Sequence, residues 1–144
     1  MKRKHVTVFR GTELDGYSLL ETPYQMSLIG VAGINRPALA SPERIANELV
    51  EPVKNKIRTI FKIGLLHGHN SLVLGALECG AFRNPPSHIA RLFHEVMKEK
   101  EFKNKYRSLL FAILDDHNAR LKHNPDGNYL PFVKEFTETN KNQY

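Results

Sequence analysis

Between Ser71 and Met97 the chain reads SLVLGALECGAFRNPPSHIARLFHEVM, and this stretch leaves little choice of local structure. Leu72, Val73 and Leu74 form an apolar run short enough for a strand, and Glu78-Cys79-Gly80-Ala81-Phe82 follows as a turn of mostly small residues. Asn84 is placed to cap a helix. Pro85 suits its first position, because the missing N–H would have had no partner there, and Ile89, Leu92, Phe93, Val96 and Met97 recur at helical spacing. In a strand, loop and helix so arranged, the loop amides and first-turn N–H groups converge on one space, to which the helix dipole adds partial positive charge. Phosphate is the ligand that suits such a space best.

The rest of the chain is that of an ordinary folded domain. Its 144 residues are enough to bury about two-thirds of the extended surface. At 41% hydrophobic and 25% charged it matches average globular usage, and no apolar run approaches the ~20 residues of a membrane span. The basic start, Met1-Lys2-Arg3-Lys4-His5, leads straight into an alternating pattern with no apolar signal-peptide core after it. With a single cysteine, Cys79, an internal disulfide is excluded and a reducing compartment fits, so the expected location is the cytoplasm. A formal charge of +6 favours anionic partners without naming one.

In chain order, His5 to Arg10 alternates as a strand does. GTELDGYSLLETP reads as a turn and an irregular arm. Gln25 to Ala32 is apolar nearly throughout, as expected of an interior strand covered on both faces. Gly33-Ile34-Asn35-Arg36-Pro37 follows at what would be a strand's C-terminal edge, where ligands of open α/β sheets collect, so Gly33 and Asn35 are candidates for a second wall. Ser41-Pro42-Glu43 has the form of a helix start, and Ile45, Leu49, Val53, Ile57 and Phe61 draw one apolar stripe beyond it. Pro52 inside that pattern should kink or split the helix, and Gly68 should end it. Ser108 to Leu114 reads as another buried strand, and Leu130 to Phe136 as a short helix. The eight residues 137–144 should fray.

Several tempting constellations have plainer explanations. His67 and His69 lack cysteine or carboxylate ligands at metal-site spacing, and a helix C-terminus accounts for them, so no metal or cofactor is expected. Asp115 and Asp116 are adjacent on an extended segment, point to opposite faces and are read as turn-formers rather than an acid–base pair. Lys98 to Arg107 carries interleaved glutamates, which favours a solvated helix end over a nucleic-acid patch. Cys79 stands before a helix N-terminus but has no evident partner base. GxGxxG, GxxxxGK[ST] and GxSxG are all missing.

LVLGALECGAFRNPP followed by an amphipathic helix resembles the C-terminal half of the microbial-type poly(ADP-ribose) glycohydrolase family, whose fold is the macrodomain. VTVFRG, PYQMSLIGVA, KIRTIFKIGLLHGHNSLVLGA, FAILDD and GNYLPFVKEF extend the resemblance over most of the chain. The resemblance implies an α/β fold of macrodomain type: three layers, α/β/α, with a partial sheet of about four strands flanked by helices, in one domain over residues 1–136. It further implies a diphosphate and ribose site at Gly80, Ala81 and Phe82, with Arg83 and Asn84 shaping the helix start. The implied partner is ADP-ribose or an ADP-ribosylated protein. The family's Ala-Pro-Asn is here Gly33-Ile34-Asn35, so only Asn35 is retained in the second wall.

The family's catalytic segment, three glycines followed by Gln-Glu-Glu, has no counterpart: nothing in the chain reads GGG or QEE. The acid that protonates the leaving oxygen in glycoside cleavage is therefore expected to be missing, and binding without catalysis is the first expectation. Alternatives are a subunit or fragment of a glycohydrolase completed by another chain, and a non-catalytic interaction module for polyanions. An uncovered sheet edge or apolar face would favour a second copy or a complementary chain as partner.

Overall fold

A computed structural model of the chain describes residues 2–138, which divide into two compact units, one up to Val31 and one from Ala32 onward. The first unit is an antiparallel hairpin of β1 (Lys2–Arg10) and β2 (Leu19–Ile29). Its register slips between Arg3 and Val6, where His5 takes φ +57°, and the connection carries a single 3-10 turn at Glu13–Asp15 closed by Thr12 and Asp15. Tyr24, Met26 and Leu28 on β2 are exposed. The interior strand expected at Gln25 to Ala32 is thus an exposed hairpin strand that begins earlier, at Leu19, and takes in part of the expected irregular arm. An apolar run is compatible with a two-stranded ribbon, whose outer backbone edges face water, as well as with a sheet interior, and periodicity cannot tell the two apart.

The second unit holds the core and is built on α1 (Asn47–Leu66), α2 (Pro86–Met97) and α3 (Tyr129–Glu138). β5 (Ser71–Leu74) and β6 (Ser108–Phe111) pair in parallel, Ser71 opposite Ser108 and Leu74 opposite Phe111, so that β5, α2 and β6 form a β-α-β crossover. Val53, Ile57, Ile60, Phe61 and Gly64 make the buried stripe of α1, while Ile89, Leu92, Phe93 and Val96 make that of α2. Rings fill the space between them. Phe61 meets Phe102 edge-on at 5.3 Å between centroids, and Phe93 meets Phe111 at 5.2 Å. The Tyr106 hydroxyl donates to the Phe61 carbonyl and occupies the place where a Cβ at Gly64 would lie. The two aromatics of the Lys98–Arg107 segment therefore serve the core. Around the rim, Arg58 forks onto Glu99 (2.7 and 2.8 Å) and holds that carboxyl below the usual range.

The α/β class holds, but the strands of the described residues pair as three two-stranded sheets: β1 with β2, β5 with β6, and a small hairpin of β3 (Leu39–Ser41) with β4 (Arg44–Ile45). That hairpin replaces the helix start expected at Ser41-Pro42-Glu43, which becomes its turn. Ile45 is fully buried and its N–H donates to His88 Nδ1 on α2, a tertiary contact that outweighs the local capping signal. The helix begins instead at Asn47 and runs unbroken through Pro52, whose loss of one N–H falls near the helix start. Gly68 takes φ +73° just past the end of α1, as expected. α3 includes Thr137 and Glu138, and the rest of the fraying tail expected over 137–144 lies outside the described residues. No helix is long and apolar enough to cross a membrane among the described residues.

Phe61 is fully buried and touches three other rings. Replacing it by alanine should lower the unfolding free energy by about 3–5 kcal/mol, read from the shift in urea midpoint at unchanged m.

Candidate functional site

The loop between β5 and α2 is fixed by one side chain. Asn84 is 0% exposed, and its Nδ2 donates to the Ile34 carbonyl (2.8 Å) and the Glu78 carbonyl (3.1 Å), tying the 33–36 segment to the loop. The helix cap expected of Asn84 is therefore not made: Pro85 is the N-cap and Pro86 the first helical residue, while the carboxamide faces inward. Two further bonds close the same seam. The Ile34 N–H donates to Glu78 Oε2 (2.5 Å), and the Arg36 N–H donates to the Phe82 carbonyl (2.8 Å).

Gly33 sits in that seam so closely that a Cβ there would lie 2.8 Å from Glu78 Cγ and from two ring carbons of Phe82. Only glycine admits the approach. Gly33 and Phe82 are thus adjacent, and the Phe82 ring keeps 40% of its surface exposed beside the loop. Asn35 is exposed next to them. A third segment closes in from behind β6: Asn118 Cβ lies 3.7 Å from the Cβ position of Gly80. Asp115 and Asp116 organise this segment as turn-formers. Asp115 Oδ1 accepts from the N–H groups of Asn128 and Tyr129 at the start of α3, and Asp116 accepts from the Asn118 N–H.

The inner turn itself is held open. Arg83 N–H donates to the Gly80 carbonyl and Asn84 N–H to the Glu78 carbonyl, whereas among the described residues the N–H groups of Gly80, Ala81 and Phe82 have no acceptor. Ala81 and Phe82 are exposed and Gly80 is half-buried. Glu78 and Arg83 flank them in the left-handed region at φ +66° and +60°, a conformation that stores roughly 1–3 kcal/mol at each non-glycine residue. Consecutive unbonded amides bracketed by strained backbone are the arrangement that cradles an oxyanion. Arg83, exposed, adds positive charge, and the His123 imidazole nearby has its pKa lowered by burial and by the Arg83 guanidinium.

Two acidic groups modify the electrostatics. Burial pushes the Glu78 carboxyl up, against the opposing pull of the Ile34 N–H and Lys56, and leaves its Oε1 buried without a partner. Burial, reinforced by Glu78, also holds the Cys79 thiol in its neutral form, so Cys79 is a packing residue and no thiolate nucleophile.

No protein-family model matches the sequence, and neither does any curated protein. Solved structures do. Poly(ADP-ribose) glycohydrolase from Deinococcus radiodurans in complex with ADP-ribose matches at 28% identity and TM-score 0.75, covering 96% of this chain and 52% of that one. The enzyme from Thermomonospora curvata matches at 27% identity and TM-score 0.75, over 94% of this chain and 46% of that one. Over nearly all of its length the chain is similar in fold and sequence to microbial poly(ADP-ribose) glycohydrolase structures. It spans about half the length of the glycohydrolase structures it matches.

The sequence singled out Gly80 to Asn84 by the loop-and-helix pattern and the glycohydrolase resemblance, and Gly33 and Asn35 by their place at a strand's end, and the fold brings the two segments together. Those signals passed over Glu78, Ile34 and Arg36, which make the seam. Ile34 and Arg36 act through backbone N–H and C=O groups, which carry no residue signature. Glu78 had one: a lone acid in a turn otherwise suited to anions.

Two outcomes follow from this geometry. Gly33→Ala should displace Phe82 or Glu78 and lower stability by about 1–3 kcal/mol, measured by denaturant unfolding. Because the folded state raises the Glu78 pKa, its native state binds the proton more tightly than the unfolded chain. The Glu78 contribution is therefore fully present below the ordinary value of 4.5 and is lost as pH rises through the folded pKa. Thermal unfolding between about pH 5 and pH 8 should show Glu78→Gln with a flatter pH dependence than the parent chain.

Proposed function

We propose that the chain binds ADP-ribose, with the diphosphate on the amides of Gly80, Ala81 and Phe82 and the sugar or base against the Phe82 ring. The observation that supports this reading above the others is the run of three amides with no acceptor among the described residues, in the loop that leads into a helix. Each phosphate oxygen can take one such donor without displacing an existing bond, and the α2 dipole favours the negative charge. Gly33 and Asn35 form the facing wall, and Arg83 supplies the nearby cation. Solved relatives in the Deinococcus radiodurans set hold ADP-ribose, which is the ligand this chemistry fits. With neither GGG nor QEE in the sequence, the chain by itself binds without cleaving.

A second reading is favoured by the half-length match: the chain contributes this loop to a glycohydrolase whose catalytic acid lies in sequence outside it. Release of ADP-ribose from a modified protein would then appear only when a segment bearing the catalytic motif is added.

Calorimetric titration separates binding from its absence. ADP-ribose should bind more tightly than AMP, and AMP more tightly than inorganic phosphate, because each loses contacts in turn. No heat at millimolar ADP-ribose, with the protein folded by circular dichroism, would remove the proposal. Phe82→Ala should weaken ADP-ribose about threefold to tenfold, the range of a single aromatic contact of 0.5–1.5 kcal/mol, while leaving the unfolding midpoint nearly unchanged.

A further inference from the structure

A second polar recess lies away from the Gly80–Asn84 loop. It is a cleft of about 250 Å³ between the β3–β4 hairpin and the first two turns of α2, lined by Ser41, Glu43, Arg44, Ser87, His88 and Arg91. That volume is below the ~300–1,000 Å³ of most small-molecule pockets, and it suits a single compact group.

His88 is only 4% exposed, yet it borders the cleft. Its Nδ1 accepts the Ile45 N–H at 3.1 Å, so the proton of the neutral ring resides on Nε2. Among the described residues that Nε2–H has no acceptor. The Nε2–H is therefore an available donor at the wall of a polar recess, open to solvent rather than sealed in the core. Arg44 from β4 and Arg91 from α2 flank it, and neither guanidinium makes an ion pair or hydrogen bond among the described residues, although Glu43 lies on the same wall. Ser87 places the cleft at the N-terminal turn of α2, whose dipole adds positive charge.

We infer that this cleft is a binding site for a phosphate-type oxyanion, taken by Arg44, Arg91 and the Nε2–H of His88, with Ser41 and Ser87 on its walls. Arginine forks suit tetrahedral oxyanions, and one anion in the cleft would engage both guanidinium groups and the imidazole N–H at once. Burial, Arg44 and Arg91 all hold the His88 pKa below its ordinary value, with Glu95 opposing them, so the ring is neutral at pH 7. A bound dianion reverses the sign of that local field. The site stands independently of the ADP-ribose reading, because it shares no residue with the Gly80–Phe82 amides.

The test is an NMR titration of the whole isotope-labelled chain with inorganic phosphate at constant ionic strength, with chloride as reference and sulfate as an oxyanion whose charge does not change near neutral pH. Saturable shifts at Ser87, His88 and Arg91, with an upward move of the His88 imidazole midpoint in both oxyanions, are expected. Arg44→Gln and Arg91→Gln, both at exposed positions, should each weaken binding about tenfold, and Glu43→Gln should tighten it. Phe82→Ala should leave this binding unchanged. A phosphomonoester that competes with phosphate at equal or higher affinity would identify the natural ligand as a phosphorylated molecule, and one that fails to compete would identify the free ion. The inference is overturned if His88 does not shift at millimolar phosphate, if the shifts survive both arginine substitutions in folded protein, or if they are confined to Gly80–Phe82.

Discussion

Asn84 carries a carboxamide wholly removed from water, and both hydrogens of its Nδ2 go to carbonyls on two different segments, those of Ile34 and Glu78. Those bonds set the distance between the loop after β5 and the segment after Val31. Once it is set, Ile34 meets the Glu78 carboxylate, Arg36 meets the Phe82 carbonyl, and the gap narrows until only a glycine fits at position 33. Its Oδ1 is buried with no partner, an imbalance that a single buried water or a bound polar group can relieve. The open amides of Gly80, Ala81 and Phe82 are a consequence of this bracing. Their neighbours have turned their own N–H groups inward, and strain at Glu78 and Arg83 is what the inward bonds compensate.

The βαβ unit gives that seam its rigid base. β5 and β6 end at the same edge, so the loops that follow them, around Gly80 and around Asn118, must lie side by side. Ligand sites at the carboxyl edge of parallel strands arise for this reason in many α/β folds. The aromatic packing beneath, from Phe61 through Phe93 to Phe111 and Phe132, fixes α2 against the strands and so fixes where its N-terminus points.

The two places proposed to take anions differ in construction. At the first, donors are backbone amides and one acid, Glu78, has its pKa raised by burial. At the second, donors are side chains: two guanidinium groups and an imidazole whose tautomer is set by the β4 backbone. The first uses loop geometry and is sensitive to Gly33, whereas the second uses the register between a hairpin and a helix. The second borders the first two turns of α2, whereas the first lies in the loop that leads into it.

What the residues alone determined is the strand–loop–helix unit from Ser71 to Met97, the apolar stripes of α1 and α2, the short helix near the C-terminus and the family likeness carried by CGAFRNPP. Each rests on periodicity or on a contiguous motif, which are local properties. Tertiary structure decided the rest. Ser41-Pro42-Glu43 became a hairpin turn because Ile45 had a buried place against His88, and Gln25 to Ile29 became an exposed ribbon because apolar composition does not say which partner a strand will find. Asn84 left its cap position for the same kind of reason: the carbonyl of Ile34, 50 residues away in sequence, is an acceptor that no local pattern reveals.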